Sequence, residues 1–283
     1  MKNNLLETDS VQKIIDLALT EDIGSGDITT ENIIPADKRA KAVLKVKGFG
    51  IIAGLPIAER VFKKLDPDIK WKYFYSDGAK VEADSIIAEF EGSYRALLSG
   101  ERTALNFLQR MSGIATTTSR YVECLKGLNT KLLDTRKTVP GNRMLDKYAV
   151  SIGGGTNHRI GLFDMVLIKN NHITVAGGIT KAIQSIKSKI HAAMKIEVET
   201  KDINEVKEAL GAGADIIMLD NMTLEQMKEA VKFIDGNVMV EASGNITIDN
   251  VRSVAETGVD YISTGAITHS IKAMDISLYV VSL

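Results

Sequence analysis

The chain has 283 residues, of which 45% are hydrophobic and 25% are charged, and its formal net charge is −1. This length suits one large α/β unit, or a barrel joined to a smaller domain. The balanced charge argues against a nucleic-acid or membrane-binding surface, because no excess of basic residues is available to form one. Any anion site must therefore be local.

The sequence also predicts a reducing compartment. A single cysteine, Cys124, excludes an internal disulfide framework. The N-terminal residues contain no apolar core of the signal-peptide type, and no apolar run is long enough to span a bilayer. We therefore expect a soluble cytoplasmic protein.

The first third of the chain has a mixed α and β pattern. Apolar residues recur at helical spacing over 8–20 and again over 93–110, where Arg102 lies near the polar side. Short β-rich runs lie between them, at 40–47, 71–75 and 79–90. Because a second helix is expected to begin at Ser112, we place a domain boundary there and predict an N-terminal α/β domain over 1–112.

From Lys131 onward the pattern becomes a regular alternation of strands and helices. Six apolar β-rich runs are present, at 131–135, 164–169, 194–200, 215–220, 238–242 and 260–264. Amphipathic helical stretches separate the later runs. Repeated β-α units form a parallel sheet, and their regularity favours a barrel over an open sheet. We predict an irregular α/β barrel of six or seven strands over 113–270.

Polar and charged side chains follow every one of these runs. In a barrel these strand ends meet at one mouth, where such folds place their active sites. Helix capping accounts for Ser, Asn and Asp at such positions. It does not account for a gathering of cations and glutamates, and a functional site is the better interpretation. These cations and glutamates are Arg136, Lys137, Lys169, Glu199 and Glu241.

These strand ends divide by their chemistry. Arg136 and Lys137, with the neighbouring Thr135, suit carboxylates or phosphates. Glu199 and Asp220 come from separate strands and suit a Mg²⁺ ion shared with a polyphosphate. Small residues that follow the last two strands let backbone N–H groups approach a phosphate. These residues are Ser243, Gly244, Asn245, Thr264, Gly265 and Ala266, with His269 nearby.

A glycine-rich segment over 153–161 brings His158 and Arg159 beside the predicted mouth. A neutral, packed His158 is one interpretation, and a ligand contact beside Arg159 is the one we favour. Several cations, two carboxylates and two small-residue loops together suggest a phosphorylated sugar and a polycarboxylate. The residues by themselves lead to phosphoryl or phosphoribosyl transfer.

The motifs, taken together, resemble the quinolinate phosphoribosyltransferase family nearly from end to end. They are EDIGSGDITT at 21–30, GERTALN at 100–106, DTRKT at 134–138, NHRIGL at 157–162, MVLIK at 165–169, EVE at 197–199, MLDN at 218–221, EASGN at 241–245 and STGAITHS at 263–270. Their number and order make the resemblance specific. Two departures are Val139, where a second Thr is usual, and Asn170, where an acidic residue is frequent.

The resemblance implies a reaction and a set of roles. Quinolinate and phosphoribosyl pyrophosphate would give nicotinate mononucleotide, pyrophosphate and CO₂, with Mg²⁺ as cofactor. Arg136, His158, Arg159 and Lys169 would hold the quinolinate carboxylates, and Lys137 and Lys169 would face the pyrophosphate. Glu199 and Asp220 would contact the ribose hydroxyls and the metal. The two late loops would bind the 5′-phosphate.

The resemblance also implies an assembly. Arg102 would reach the site from the neighbouring subunit, which would make a homodimer obligatory. The N-terminal domain would be an α/β sandwich rejoined by residues from about 271 to 283. Two alternatives remain open: a homologue linked to molybdenum transport, and a non-catalytic sensor of phosphoribosyl ligands. The full set of cations and both metal carboxylates favour the transferase.

Overall fold

The computed structural model describes residues 5–281. In chain order the elements are α1 (Asp9–Ile23), α2 (Ile28–Ile33), β1 (Arg39–Val46), β2 (Gly50–Ile51), α3 (Leu55–Leu65), β3 (Lys70–Tyr73), β4 (Lys80–Val81), β5 (Ile86–Ser93), α4 (Tyr94–Cys124), β6 (Lys131–Leu133), α5 (Arg143–Ile152), β7 (Val166–Ile168), α6 (Asn170–Ala176), α7 (Ile179–Lys187), β8 (Ile196–Thr200), α8 (Ile203–Ala212), β9 (Ile216–Asp220), α9 (Leu224–Ile234), β10 (Met239–Ser243), α10 (Val251–Ala255), β11 (Tyr261–Ser263), α11 (Ala266–His269) and β12 (Ile276–Val281).

Within the described residues, the first of two compact units comprises 5–119, 138–154 and 270–281. Its main sheet is antiparallel, with the strand order β12-β1-β5-β3. Helix α3 packs on this sheet because its apolar residues recur at helical spacing. The Phe62 ring lies 4.8 Å from that of Phe90 on β5 and 6.0 Å from that of Trp71 on β3. Burial of each such phenylalanine stabilises the unit by about 1.5–3 kcal/mol.

The second unit comprises 120–137 and 155–269 and contains a six-stranded parallel sheet. Its strand order is β6-β11-β10-β9-β8-β7, as expected for successive β-α units. The two end strands are β6 and β7, and an isolated parallel bridge between Leu133 and Thr156 fastens the glycine-rich segment to β6. The prediction of an α/β protein, with an N-terminal α/β sandwich domain and an irregular barrel of six or seven strands, is confirmed as an antiparallel-sheet domain and a parallel α/β domain with six strands.

Local sequence explains why helices begin directly after these strands. The Asp202 side chain accepts hydrogen bonds from the N–H groups of Asn204 and Glu205 and so caps α8. Thr223 and Gln226 form a reciprocal capping box at the start of α9. Each cap satisfies N–H groups that have no partner within the helix. The strands therefore end in short, well-defined turns.

The strand register aligns polar side chains on one face of the parallel sheet. Glu199 pairs across β9 with Met218, which in turn pairs with Glu241 on β10. Two residues further along each of these strands, Asp220 on β9 pairs with Ser243 on β10. Residues in register, or two apart on one strand, share a face of the sheet. Carboxylates from three strands thus face the same space.

The predicted division at residue 112 differs from the structural one. Helix α4 is continuous from Tyr94 to Cys124, whereas the sequence suggested two helices meeting at Ser112. Gly113 allows a close approach rather than a break, since a Cβ there would lie 2.4 Å from the Lys272 backbone oxygen. Residues 138–154, which we predicted to be part of the barrel, belong to the first unit.

The rejoining of the first unit by the C-terminal segment agrees with the expectation, since β12 pairs with β1. The last two residues of the predicted segment, 282 and 283, lie outside the described residues. Over residues 5–281, none of the helices combines the length and the apolar character needed to cross a bilayer.

Candidate active site

A cavity of about 500 Å³ lies at the C-terminal ends of the parallel strands of the second unit. It gathers eleven of the residues that the sequence predicted: Thr135, Arg136, Lys137, His158, Arg159, Lys169, Glu199, Asp220, Ser243, Gly244 and Asn245. Five further residues line it: Asp134, Leu167, Asn221, Glu241 and Ser263. Since strand ends of a parallel barrel carry the active site, this cavity is the candidate catalytic centre.

The cationic wall of the cavity includes Arg136 and Arg159. Arg159 is buried, and its Nη1 donates a 3.3 Å hydrogen bond to the Met165 backbone oxygen. Burial lowers the pKa of the Arg159 guanidinium, and the neighbouring Arg136 charge lowers it further. Two guanidinium groups that repel each other in one pocket are stabilised by a bound anion. This wall therefore suits a dicarboxylate.

The acidic wall faces it from β8 and β9. Glu199 lies at the end of β8 and accepts a 2.5 Å contact from the Lys169 ammonium, which follows β7. Asp220 closes β9 and accepts a hydrogen bond from Asn221. Two hard carboxylates beside an open cavity suit Mg²⁺, which in proteins is usually held by one or two carboxylates together with substrate phosphates.

The loop after β10 is built for close backbone approach. Gly244 has φ +95°, and a Cβ there would lie 2.3 Å from the Asn221 side-chain oxygen. Asn245, also at positive φ, donates a 2.9 Å hydrogen bond to the same oxygen. The two loops thus support each other. Backbone N–H groups in such tight loops are typical phosphate ligands.

The loop after β11 lies next to Lys137. A Cβ on Gly265 would lie 2.7 Å from side-chain carbons of both Lys137 and His269, and Thr268 donates a hydrogen bond to the Lys137 backbone oxygen. Thr264, Gly265, Ala266 and His269 are not among the residues that line the cavity itself. This loop therefore contacts Lys137 but does not itself line the cavity.

Arg102, the predicted contribution from a neighbouring subunit, lies on α4 in the first unit and is exposed. The lining of the cavity comes wholly from the second unit. The structure contains a single chain, so the role of Arg102 stays a prediction.

A buried cluster of His158, Glu197 and Glu241 lies behind the cationic wall. His158 Nε2 is 2.9 Å from a Glu197 oxygen and 3.4 Å from a Glu241 oxygen. Both glutamates are fully buried, and the outer oxygen of each has no hydrogen-bond partner among the described residues. His158 Nδ1 accepts a 2.8 Å hydrogen bond from the Arg159 backbone N–H.

The protonation of this cluster follows from these contacts. Burial opposes a charge on His158, but the hydrogen bonds and charges of Glu197 and Glu241 raise its pKa to about 10. An imidazolium, however, would direct an Nδ1–H at the Arg159 N–H. The backbone contact therefore favours the neutral Nε2–H tautomer. Burial raises the pKa of Glu197 to about 7, against the opposing effect of its hydrogen bond with His158.

The three donor atoms of this cluster are close enough to surround a metal ion. A metal-bound imidazole must present a lone pair from Nε2 and therefore carry its proton on Nδ1. Since Nδ1 of His158 accepts from the Arg159 N–H, the cluster does not suit a metal. Glu199 and Asp220 remain the residues that fit one.

Sequence reasoning did not name Glu197 or Asp134 as site residues, and it counted Glu241 among the charged strand ends without giving it a role. One signal was present, because Glu197 and Glu199 are two apart on a strand and must share a face. No sequence signal placed Glu241 beside His158. That contact joins β10 to a loop roughly 80 residues earlier in the chain, and contacts between such distant segments form only through tertiary packing.

The fold and the cavity define a class. A parallel α/β barrel with clustered cations, two carboxylates and tight small-residue loops at its strand ends is an enzyme of phosphorylated, multiply anionic substrates. Within that class, the family model for the quinolinate phosphoribosyl transferase N-terminal domain matches residues 27–112, and that for the C-terminal domain matches residues 114–279. The chain belongs to the quinolinate phosphoribosyltransferase family.

Individual relatives agree with this assignment. The chain is 46% identical to the chloroplastic nicotinate-nucleotide pyrophosphorylase [carboxylating] of Oryza sativa subsp. japonica, over 96% of this chain and 78% of that protein. It is 44% identical to a probable enzyme of the same name from Synechocystis sp., over 93% of this chain and 90% of that protein. The solved nicotinate-nucleotide pyrophosphorylase of Francisella tularensis superposes with a TM-score of 0.92 at 46% identity, covering 96% of each chain.

Proposed function

We propose that the protein transfers the phosphoribosyl group of phosphoribosyl pyrophosphate to quinolinate with loss of CO₂. The products are nicotinate mononucleotide, pyrophosphate and CO₂, which is a step of de novo NAD biosynthesis. The observation that carries the proposal is the single cavity in which the Arg136 and Arg159 cations face the Glu199 and Asp220 carboxylates. Membership of the family supports it.

The reaction begins with attack of the quinolinate ring nitrogen on the anomeric carbon of the ribose, as pyrophosphate leaves. Arg136 and Arg159 bind the two carboxylates of quinolinate through planar guanidinium forks. This contact fixes the ring and aims its nitrogen at the ribose, so that orientation supplies much of the rate. The positive ring that results accepts the electron pair of the bond between C2 and its carboxylate, CO₂ leaves, and C2 then takes a proton from the solvent.

The leaving group and the sugar occupy the rest of the cavity. Lys137 and Lys169 neutralise the departing pyrophosphate, and charge neutralisation at a leaving phosphate is a large catalytic effect. Glu199 and Asp220 orient the ribose hydroxyls. The tight loops at Ser243–Asn245 and at Thr264–Ala266 hold the 5′-phosphate through backbone N–H groups, with His269 beside them.

A magnesium ion brought with phosphoribosyl pyrophosphate would be held by Glu199 and Asp220, where it would neutralise charge on the pyrophosphate. Lys169, which is paired with Glu199 in this structure, would then be available to the substrates. This exchange keeps Glu199 paired with a positive charge in both states, which a carboxylate so little exposed requires.

The assembly that we propose is a homodimer in which Arg102 of a second copy completes the quinolinate site. Exposure of Arg102 on α4 is compatible with this role. We place the protein in the cytoplasm, with which its single unpaired cysteine, Cys124, is compatible.

The deciding experiment measures product formation from quinolinate and phosphoribosyl pyrophosphate, with and without Mg²⁺. We expect Mg²⁺-dependent release of CO₂ from quinolinate, and no nicotinate mononucleotide when nicotinate replaces quinolinate. Absence of product from folded protein under all of these conditions would overturn the proposed function and leave the molybdenum-linked and sensor alternatives.

A further inference from the structure

The ring of His158 has both of its nitrogens engaged by the protein. Nδ1 accepts from the Arg159 backbone N–H at 2.8 Å, and Nε2 lies 2.9 Å from Glu197 and 3.4 Å from Glu241. An imidazole has only these two polar atoms. In this arrangement the ring has no donor left for a substrate carboxylate, although it lines the cavity.

Hydrogen bonds hold the backbone on both sides of His158. The His158 backbone N–H donates to an oxygen of the buried Asp134 at 2.7 Å, and the Arg159 N–H donates to the imidazole. The ring itself is fastened by two glutamates on β8 and β10. The arrangement fixes the point from which the Arg159 side chain enters the cavity.

His158 also lies between two cavities of the second unit. His158, Arg159 and Glu241 line both the catalytic cavity and a second cavity of about 280 Å³. Loss of the imidazole would join the two cavities and let water reach the buried carboxyls. A ring held between two buried acids is suited to be a fixed partition rather than a mobile ligand.

We propose that His158 is a positioning residue: Glu197 and Glu241 hold its imidazole, and through the Arg159 N–H this ring orients the Arg159 guanidinium that binds the substrate. The two glutamates do not contact the substrate in this proposal. They act by holding the imidazole in place. Only the ligands added in the two experiments below rest on the proposed function. The geometry of the ring does not.

The first experiment requires no catalysis. The chain contains four histidines, so the full-length protein labelled with ¹⁵N-histidine gives a small set of imidazole signals that single substitutions assign. We expect His158 to show an unprotonated Nδ1 and an Nε2–H protected from solvent exchange. Both should stay unchanged when pyrophosphate or quinolinate is added to saturation.

A change of either His158 ring nitrogen on addition of these ligands would overturn the proposal, as would loss of the Nε2 proton on addition of Mg²⁺ or Zn²⁺. Glu197→Gln supplies a further check, because a neutral amide accepts a weaker hydrogen bond than a carboxylate. The Nε2 proton of that variant should exchange faster with water. Unchanged exchange would contradict the role of Glu197.

The second experiment is a double-mutant cycle on quinolinate affinity, measured by calorimetry. His158→Ala should weaken binding at least tenfold, and His158→Gln, which keeps an N–H donor near the position of Nε2, should restore most of that loss. In an Arg159→Lys background the loss caused by His158→Ala should fall below threefold, because the fork that His158 orients is gone. Equal losses in both backgrounds would identify His158 as a direct ligand.

The two experiments separate the proposals. Failure of the unmodified protein to bind quinolinate would remove the proposed function, and the imidazole signals would still decide the role of His158. Quinolinate binding with a ring that responds to the ligand would leave the function intact and remove this inference.

Discussion

At the scale of single residues, the strictest requirement in the cavity is for a glycine at position 244. Gly244 adopts φ +95° and lies against the Asn221 amide, whose oxygen also receives the Asn245 hydrogen bond. The backbone conformation and the close contact each exclude a Cβ. Ser243 and Asn245 lend themselves to prediction as phosphate ligands, whereas the contact with Asn221 depends on the pairing of β9 with β10.

We predict that Gly244→Ala raises the KM for phosphoribosyl pyrophosphate by tenfold or more and lowers the free energy of unfolding by about 1–3 kcal/mol. Gly236→Ala is the matched control, since Gly236 also has positive φ but nothing within 4 Å of the added carbon. It should cost about 1 kcal/mol and leave the KM unchanged. Steady-state kinetics and denaturant unfolding measure both effects. A KM shift of similar size in both variants would show that the Asn221 contact is irrelevant.

At the scale of elements, α4 shows that a glycine in a helical pattern need not mark the end of the helix. Its 31 residues run without interruption through Ser112 and Gly113, where the sequence suggested a boundary. Glycine is usually unfavourable inside a helix because it loses the most conformational freedom. Here the cost is offset by close packing, because the backbone at Lys272 and Ala273 lies directly against Gly113.

We predict that Gly113→Ala destabilises the protein by about 1–3 kcal/mol, although alanine is the better helix former, because the new methyl group would meet fixed backbone. Gly211→Ala, in α8 with nothing within 4 Å, should instead stabilise it by about 0.5–1 kcal/mol. Chemical denaturation of the two variants provides the measurement. Stabilisation by both substitutions would contradict the close approach at Gly113.

At the scale of the whole molecule, the two units differ in the segments of the chain from which they are built. The parallel sheet of the second unit is assembled from consecutive β-α repeats, whereas the first unit takes three separate segments, the last of which contributes β12. All described residues that line the catalytic cavity belong to the second unit. Arg102, on α4 in the first unit, is not among these residues, and the proposed homodimer would supply it from a second copy of the chain.

We predict that mixed dimers of Arg102→Ala and Lys137→Ala subunits regain activity that neither homodimer has. One site of such a dimer would carry both substitutions and the other neither, so recovery should approach half of the unmodified activity. Isolation of the heterodimer with two different affinity tags and a CO₂-release assay would test this. An inactive heterodimer of verified composition would show that Arg102 acts within its own chain.

The sequence by itself determined the alternation of strands and helices in the second unit, the polar strand ends and most of the cavity, because local periodicity and right-handed β-α connections leave few arrangements. Tertiary structure alone decided that α4 is continuous and that 138–154 leaves the barrel, since both depend on packing between distant segments. It also decided the His158–Glu197–Glu241 cluster. Buried carboxyls carry no local signal: their stability comes from a partner that only the folded chain brings within hydrogen-bonding distance.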